Sequence, residues 1–277
     1  PPIDSIREHV VTSTMTLLGA EGDLLHPNEQ NAKRIFLETP VLSTAEYELL
    51  LNNEEEAFKV TEISLKFTEN LESELNRIKT EAEAAIFGGR TIIVLSDYLE
   101  DATQITIPVL LAASTIHQYL IRIGLRTKAS IVVNSAEVRE VHHFAALIGF
   151  GVDAIHPYLA YATIEEAIEN EHLSIPFEKA MQKFRKGAAE GVVKVMSKMG
   201  ISTVQSYRGA QIFEAVGISK AVIDEYFTGT ASQIDGIDLT TIGEEAKRRH
   251  EAAMKSMTDQ LQSGSDFQWR ADGEHHA

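Results

Sequence analysis

The 277-residue sequence contains no cysteine, and this absence excludes several kinds of site at once. The chain can form no disulfide, and it has no thiolate with which to ligate zinc or an iron–sulfur cluster. A cysteine nucleophile is excluded for the same reason. Because disulfides are typical of oxidising compartments, the composition favours a reducing one such as the cytoplasm.

Positive charge and long apolar runs are also scarce. The sequence has 25 Lys and Arg residues against 41 Asp and Glu residues, so neither nucleic acid nor an anionic membrane is expected as a partner. The longest apolar stretch, residues 105–120, is interrupted by Pro108, Ser114, His117 and Gln118, and it falls short of the roughly 20 residues of a membrane helix. The amino terminus has no signal-peptide pattern and no initiator Met, so we expect a processed or excised chain.

Glycine-rich phosphate-binding motifs are missing as well. The sequence contains neither G-x-G-x-x-G nor a P-loop. In a dinucleotide-binding fold, glycines follow a strand and open a helix. Here Gly88, Gly89, Gly149 and Gly151 precede predicted strands instead. We therefore expect no nucleotide site in this chain alone.

Short apolar runs rich in β-branched residues alternate with helical segments through the first two thirds of the chain. This alternation predicts an α/β fold with an open, mostly parallel sheet and helices on both faces. Ser43 and Glu46 have the spacing of a capping box at one helix start. The predicted strands cover residues 58–67, 91–96, 130–134 and 152–155, and the predicted helices cover 44–51, 70–86, 108–124, 137–148 and 163–170.

Strand patterns stop near Pro176, and the rest of the chain predicts a C-terminal helical segment. The predicted helices cover residues 177–199, 207–216 and 220–227. A polar, acidic tail with the only tryptophan, Trp269, follows. We assign residues 1–256 to one α/β domain and residues 257–277 to the tail.

Polar side chains follow three of the predicted strands. Asp97 ends one strand, Asn134 and Ser135 end the next, and His156 ends the third. Open α/β sheets place ligand-binding residues at this edge, so the four could line a cleft for a small anion. Because Asp, Asn and Ser cap helices and turns far more often than they bind ligands, capping is the favoured interpretation.

The segment Arg139-Glu-Val-His-His carries two histidines, but its spacing disfavours a metal site. His142 and His143 are adjacent, so on a helix they point in different directions. Zinc sites on helices use histidines four residues apart, so we predict no metal here.

The most distinctive stretch is residues 194–211, KVMSKMGISTVQSYRGAQ. A helix is predicted to end at Gly200, with Lys194 and Lys198 in its last turns, where cations complement the helix dipole. Ser206 has the position of a cap for the next helix, and Arg208 follows it. The stretch is typical of a capped helix–loop–helix, and it could also be an anion site or a docking surface.

Residues 194–217 resemble the end of the central domain of glutamate synthase large subunits. Three more stretches resemble the same domain in the same order: PIDSIRE over residues 2–8, REVHHFAALIGFGVDAIHPYL over 139–159, and YFTGTASQIDGI over 226–237. The resemblance implies a larger enzyme in which an amidotransferase domain releases ammonia from glutamine. A domain with FMN and an iron–sulfur cluster then aminates 2-oxoglutarate, using electrons from NADPH, NADH or ferredoxin.

In that family the central domain connects the other two and helps to form the ammonia tunnel. The resemblance therefore implies no catalytic residue and no cofactor in this chain, partner domains in the same polypeptide, and a cytoplasmic or plastid location. The isolated chain is expected to be inactive, and its tail is expected to lead towards the FMN domain. The alternative from the residues themselves is a free-standing module that binds a small anion.

Two sets of site residues are expected, the first from the resemblance and the second from the cationic helix end and loop of residues 194–211. The loop after Ile6-Arg-Glu lies towards the flavin and 2-oxoglutarate site in the family. Where the family has proline and basic residues after Gly19, this chain has Ala20, Glu21 and Gly22, so an anion contact there is not expected. The candidates for contact with the flavin site are Thr12, Ser13 and Met15, and the candidates for a domain interface are Lys194, Lys198, Ser206 and Arg208.

Overall fold

The computed structural model describes residues 4, 6–68, 70–99, 101 and 103–255. Its α-helices are α1 (Glu8–Val11), α2 (Thr44–Leu51), α3 (Leu71–Phe87), α4 (Val109–Arg122), α5 (Val141–Gly149), α6 (Tyr158–Glu169), α7 (Phe177–Met199), α8 (Val204–Tyr207), α9 (Lys220–Tyr226) and α10 (Leu239–Lys255). Its strands are β1 (Thr16–Leu18), β2 (Ile35–Leu37), β3 (Val60–Ser64), β4 (Lys66–Phe67), β5 (Ile92–Ser96), β6 (Ile105–Thr106), β7 (Ser130–Asn134), β8 (Ala154–His156), β9 (Glu214–Ile218) and β10 (Ala231–Ile237).

The centre of the fold is a four-stranded parallel sheet in the order β3-β5-β7-β8. The spatial order follows the chain order, and crossovers between parallel strands are right-handed, so the connecting helices α3, α4 and α5 lie on one face. These helices pack on the side chains of Ile93, Leu95, Ile131, Val133 and Ile155 in the main core. The α/β class with a mostly parallel sheet is confirmed.

The other face of the sheet is covered by α2 and by the antiparallel pair β1–β2. A second core forms there from Leu18, Leu42, Tyr47, Leu50, Ile92, Val94, Val132 and Ala154. Helices therefore flank both faces, as predicted. Because both faces of the sheet are covered, β5 and β7 are buried along their whole length, which explains the continuous apolar runs Ile92–Leu95 and Ile131–Val133.

Local capping signals set the start of α2 as predicted. Ser43 Oγ accepts a hydrogen bond from Glu46 N at 3.2 Å, and Glu46 Oε2 accepts one from Ser43 N at 2.7 Å. Two other helix starts differ from the prediction. Helix α5 begins only at Val141, where the Glu140 N–H donates to His143 Nδ1 at 3.3 Å, and α6 begins at Tyr158, directly after β8 and Pro157.

The predicted helix over residues 207–216 is wrong. Helix α8 ends at Tyr207, and the backbone then takes positive φ angles of 75° at Gly209 and 55° at Gln211, which an α-helix cannot contain. The chain continues into strand β9, which pairs in parallel with β10. The cap assigned to Ser206 is also wrong, because Thr203 caps α8 by accepting a hydrogen bond from Ser206 N at 3.2 Å.

The C-terminal region is thus helical with one added pair of strands. Helix α10 packs against α3 and β6 and ends at the last described residue. The tail over residues 257–277, with Trp269, lies outside the described residues. Among the described helices, none combines the length and the apolar character needed to cross a membrane.

Candidate functional site

The carboxyl end of the central sheet brings together the four strand-tip residues singled out in the sequence. The Asp97 carboxylate accepts hydrogen bonds from Ser135 Oγ at 2.5 Å and from Ala136 N at 2.9 Å. Burial raises the pKa of Asp97, although these hydrogen bonds oppose the rise. Both oxygens of the carboxylate are engaged within the protein.

Asn134 and His156 complete this network. Asn134 Oδ1 accepts from His156 Nδ1 at 2.8 Å, and Asn134 Nδ2 donates to Ser96 Oγ at 3.0 Å. His156 Nε2 is 3.2 Å from Thr44 Oγ1, and its ring stacks on Tyr47. Burial lowers the pKa of His156 to about 4, so the ring is neutral at pH 7. The polar groups at the strand tips bond to one another, which agrees with a structural role.

The amino end of the same sheet holds a buried group of charged side chains, which we call the amino-end cluster. Its members are Glu21, Arg34, His117, Arg126, Asp153 and Arg208. Asp153 is at its centre: Oδ2 accepts from Ile131 N at 2.7 Å and from Arg126 Nη2 at 3.0 Å, and Oδ1 pairs with Arg208. Glu21 pairs with Arg208 at 2.8 Å and with Arg34 at 3.8 Å.

The protonation of His117 follows from its place in this cluster. Burial, and then the charges of Arg126 and Arg208, lower the pKa of His117 from 6.5 to about 3. Arg126 Nε donates to His117 Nδ1 at 2.9 Å, so the neutral ring carries its proton on Nε2. Gly151 closes over this ring at a φ of 107°, and a Cβ at Gly151 would stand 2.1 Å from His117 Nδ1. The cluster is therefore tightly enclosed.

Thr12, Ser13 and Met15 lie together in an open cleft of about 600 Å³, which we call the N-terminal cleft. Its other walls include Phe36 of β2 and the 202–203 loop. Ser13 N donates to the backbone oxygen of residue 202 at 2.8 Å, which joins the two walls by a short parallel bridge. The Met15 side chain is 46% exposed. The buried Thr12 Oγ1 makes no hydrogen bond to the described protein.

The N-terminal cleft is connected to the amino-end cluster. Along the chain, the wall formed by residues 12–15 is followed by Glu21, and the 202–203 loop is followed by Gln205 and Arg208. Gln205 Nε2 and Arg208 Nη2 both donate to Glu21 Oε1, at 2.9 and 2.8 Å. Burial alone would raise the pKa of Glu21, but these bonds and the charges of Arg208 and Arg34 lower it. Glu21 therefore holds the two walls in one arrangement.

The interface candidates fall into two groups. Lys194, Lys198 and Ser206 are exposed at the end of α7 and in α8. Arg208 is different, because its side chain is only 10% exposed and pairs with Glu21 and Asp153 inside the cluster. Sequence reasoning did not single out Arg126 or Asp153. For Asp153, the available signal was a carboxylate directly before a strand, where it can accept from a backbone N–H at the start of the neighbouring strand, as it does from Ile131 N.

The described residues contain no group of three or more His, Asp or Glu side chains placed to hold a metal ion. The fold and the site together define an α/β domain whose polar groups at the strand tips bond to one another and whose open cleft is built from its first residues. A family model described as the glutamate synthase central domain matches residues 1–219. The chain belongs to this family.

Curated relatives agree with this assignment. The chain is 60% identical over 278 residues to the glutamate synthase [NADPH] large chain of Bacillus subtilis, covering 100% of this chain and 18% of that one. It is 38% identical over 286 residues to the corresponding large chain of Azospirillum brasilense, with the same coverage. It is 36% identical over 293 residues to the chloroplastic ferredoxin-dependent glutamate synthase of Spinacia oleracea, again with 100% and 18% coverage. The chain thus spans under a fifth of these relatives.

Among solved structures, a sulfite-bound variant of flavocytochrome b2 is similar at a TM-score of 0.39 and 13% identity, covering 72% of this chain and 47% of that one. A likeness of this degree carries no functional argument.

Proposed function

We propose that this chain is the linking domain of a glutamate synthase, placed between an amidotransferase domain and an FMN domain of the same polypeptide. In this role it forms part of the wall of the tunnel that carries ammonia between them. The whole enzyme, with FMN and an iron–sulfur cluster held elsewhere in the polypeptide, aminates 2-oxoglutarate with nitrogen from glutamine. The cytoplasm or the plastid stroma is the expected location.

The observation that carries this proposal is the N-terminal cleft. The resemblance predicts that Thr12, Ser13 and Met15 contact the flavin site, and the 202–203 loop belongs to the stretch of the sequence that most resembles the family. The two segments are far apart in the chain, and they meet in one open cleft. The cleft is open to solvent, and the hydrogen bonds of Glu21 to Gln205 and Arg208 hold its two walls in place. Such a preformed cleft is suited to bind a neighbouring domain.

The closed strand tips support a role without catalysis in this chain. Asp97, Asn134, Ser135 and His156 hydrogen-bond to one another and to nearby groups, so they have little capacity left for a substrate. The 277-residue chain, mixed with glutamine, 2-oxoglutarate and reductant, should form no glutamate. Turnover by the purified chain would contradict the proposal.

Surface charge supports a second contact. Lys194 and Lys198 lie in the last turns of α7 on a chain with a net charge of −16, and neither forms an ion pair with the described residues. Such a cationic patch is suited to an acidic surface on a neighbouring domain. Ser206 lies on the adjoining α8 and is exposed on the same stretch of chain.

The test of the tunnel role uses the full-length polypeptide and the variant Thr12→Val. This change keeps the shape of the side chain and removes the hydroxyl that has no partner within the described protein. We expect glutamine hydrolysis to continue, while glutamate formed per glutamine hydrolysed falls by about tenfold, because the variant removes a hydrogen-bonding group from the proposed ammonia path. Free ammonia in the medium measures the loss.

The matched control is Thr163→Val, on the exposed side of α6. It should leave the ratio of the two activities unchanged. If Thr12→Val also leaves that ratio unchanged, the N-terminal cleft does not face the ammonia path.

A further inference from the structure

A second cavity, of about 490 Å³, lies beside the closed strand tips at the carboxyl end of the sheet. We call it the carboxyl-end cavity. It is bounded by the start of α4, the loop from Ala136 to Arg139, the first turns of α5, and α10. Ligand cavities in proteins typically measure about 300–1,000 Å³ and lie at this edge of an α/β sheet. Its size and position are therefore those of a small-molecule site.

Two exposed arginines line this cavity. They are Arg139 and Arg249, and neither guanidinium makes a hydrogen bond or ion pair with the described residues. Among the other described arginines, Arg90 and Arg248 also lack a carboxylate partner, and seven have one. Those that pair are Arg7, Arg34, Arg77, Arg122, Arg126, Arg185 and Arg208. Two guanidiniums at one cavity are available to bind an anionic group.

His143 adds a fixed hydrogen-bond donor. Its Nδ1 accepts from the backbone N–H groups of Arg139 and Glu140, each at 3.3 Å. Burial lowers the pKa of His143, so the ring is neutral at pH 7. A neutral ring that accepts at Nδ1 carries its proton on Nε2, so the side of the ring away from the backbone is a donor. His143 therefore complements an anion without adding charge.

Glu137 supplies the opposite chemistry on the same wall. Its Oε2 accepts a hydrogen bond from Val109 N at 3.2 Å, at the start of α4. Partial removal from water, and the nearby Asp97, raise the pKa of Glu137, while Arg249 and Arg139 oppose the rise. The carboxylate forms no ion pair with the described protein. It can accept a hydrogen bond from a ligand ammonium group.

The remaining walls are apolar and suit an aliphatic body. They are formed by Ile105, Pro108, Leu110, Val138, Ala146 and Leu147. On α10, Ala246, Arg249 and His250 have the spacing that places side chains on one helix face, so apolar and charged groups approach the cavity together.

From this arrangement we propose that the carboxyl-end cavity binds a small zwitterionic amino acid with an aliphatic side chain. Its carboxylate bonds to Arg139 and Arg249, its ammonium group bonds to Glu137, and its side chain packs on the apolar wall. The site is separate from the N-terminal cleft and does not depend on the linking role proposed above.

The test is calorimetric titration with three probes that differ in one group each. L-leucine carries both charges, isocaproate lacks the ammonium group, and isoamylamine lacks the carboxylate. L-leucine should bind saturably with a Kd of about 1 mM or tighter, isocaproate should bind more weakly, and isoamylamine should give no heat. The titration uses the 277-residue chain, after a cooperative thermal melt shows that it is folded, and is repeated on the full-length polypeptide.

Variants separate a specific site from general attraction. Arg139→Gln and Arg249→Gln should each weaken L-leucine binding by about tenfold, as expected for the loss of a charged hydrogen bond. Glu137→Gln should weaken L-leucine but not isocaproate. Arg248→Gln is the matched control, because Arg248 precedes Arg249 on α10 and does not line the cavity. A titration with no saturable L-leucine signal, or one equally affected by Arg248→Gln and Arg249→Gln, would overturn the proposal.

Discussion

The two ends of the central sheet differ in how their charged groups are paired. At the amino end, three arginines and two carboxylates are enclosed and paired with one another. At the carboxyl end, the tips of the strands are joined by hydrogen bonds around Asp97 and Asn134. Next to them, Arg139 and Arg249 line a cavity and form no ion pair with the described residues.

The difference shows which charged groups of this domain are paired within the chain and which could bind another molecule. A buried ion must have a partner, because an unpaired charge in the interior costs several kcal/mol. The amino-end cluster satisfies that requirement within the chain, so it fixes the arrangement of the chain. At the carboxyl-end cavity, the partner of the Arg139 and Arg249 guanidinium groups is solvent or a ligand.

The largest expected effect is at Asp153. Asp153→Asn removes the carboxylate that Arg126 and Arg208 share, which leaves two guanidiniums without their common partner. We expect the free energy of unfolding, measured with urea, to fall by about 3–5 kcal/mol. The exposed pair of Lys186 and Glu190 gives the control, since Glu190→Gln should cost less than about 1 kcal/mol. Equal effects from both variants would show that the amino-end cluster is not a buried ion network.

A smaller effect is expected at the other end of the sheet. Ser135→Ala removes the hydroxyl that donates to Asp97 but leaves the Ala136 N–H in place. The free energy of unfolding should fall by about 2 kcal/mol, because one hydrogen bond to a buried carboxylate is lost and its acceptor stays partly satisfied. Ser232→Ala, at an exposed position in β10, should change it by less than about 0.5 kcal/mol. A loss at Ser135 as large as that at Asp153 would remove the contrast between the two ends.

The third effect concerns pH, and it is the smallest of the three when it is expressed per pH unit. The pKa of His117 is about 3 in the folded chain and 6.5 without the protein around it, so the unfolded chain binds the extra proton between these values. Stability from this group is therefore full above pH 6.5 and is lost as pH falls towards 3, by about 1.4 kcal/mol per pH unit. His117→Gln keeps an acceptor for Arg126. It should reduce the slope of the free energy of unfolding against pH by the contribution of one proton, about 1.4 kcal/mol per pH unit.

His156 at the carboxyl end provides the comparison for this experiment, because its pKa of about 4 predicts a second proton over a narrower range. We therefore compare His117→Gln with His156→Gln. Between about pH 4.5 and 6.5, the slope of the free energy of unfolding against pH should be reduced by a similar amount in both variants. An unchanged slope in His117→Gln would mean that this ring is not held neutral.

Local and topological signals predicted much of the fold and one of its polar networks. The capping box of Ser43 and Glu46 needs only four consecutive residues, so the sequence contains all of its information. The meeting of Asp97 with Ser135 follows from the parallel order of their strands, since the carboxyl ends of neighbouring parallel strands share one edge.

The amino-end cluster could not be predicted in this way. Glu21 and Arg208 are 187 positions apart, and no periodicity marks residues that meet at the start of a strand. The sequence therefore predicts an interface role for Arg208, whereas in the structure its side chain pairs with Glu21 and Asp153. The wrong helix over residues 207–216 has a similar cause, because Gln211 adopts a positive φ that nothing in its own sequence signals.

The strand order has a consequence for how the chain assembles. Each strand of the central sheet pairs with the strand of the preceding unit, so the sheet can grow stepwise as the polypeptide leaves the ribosome. Closing a loop of almost two hundred residues costs more entropy than closing these short ones. The contact of Glu21 with Arg208 must therefore form late, so the two walls of the N-terminal cleft are joined only after residue 208 has been synthesised.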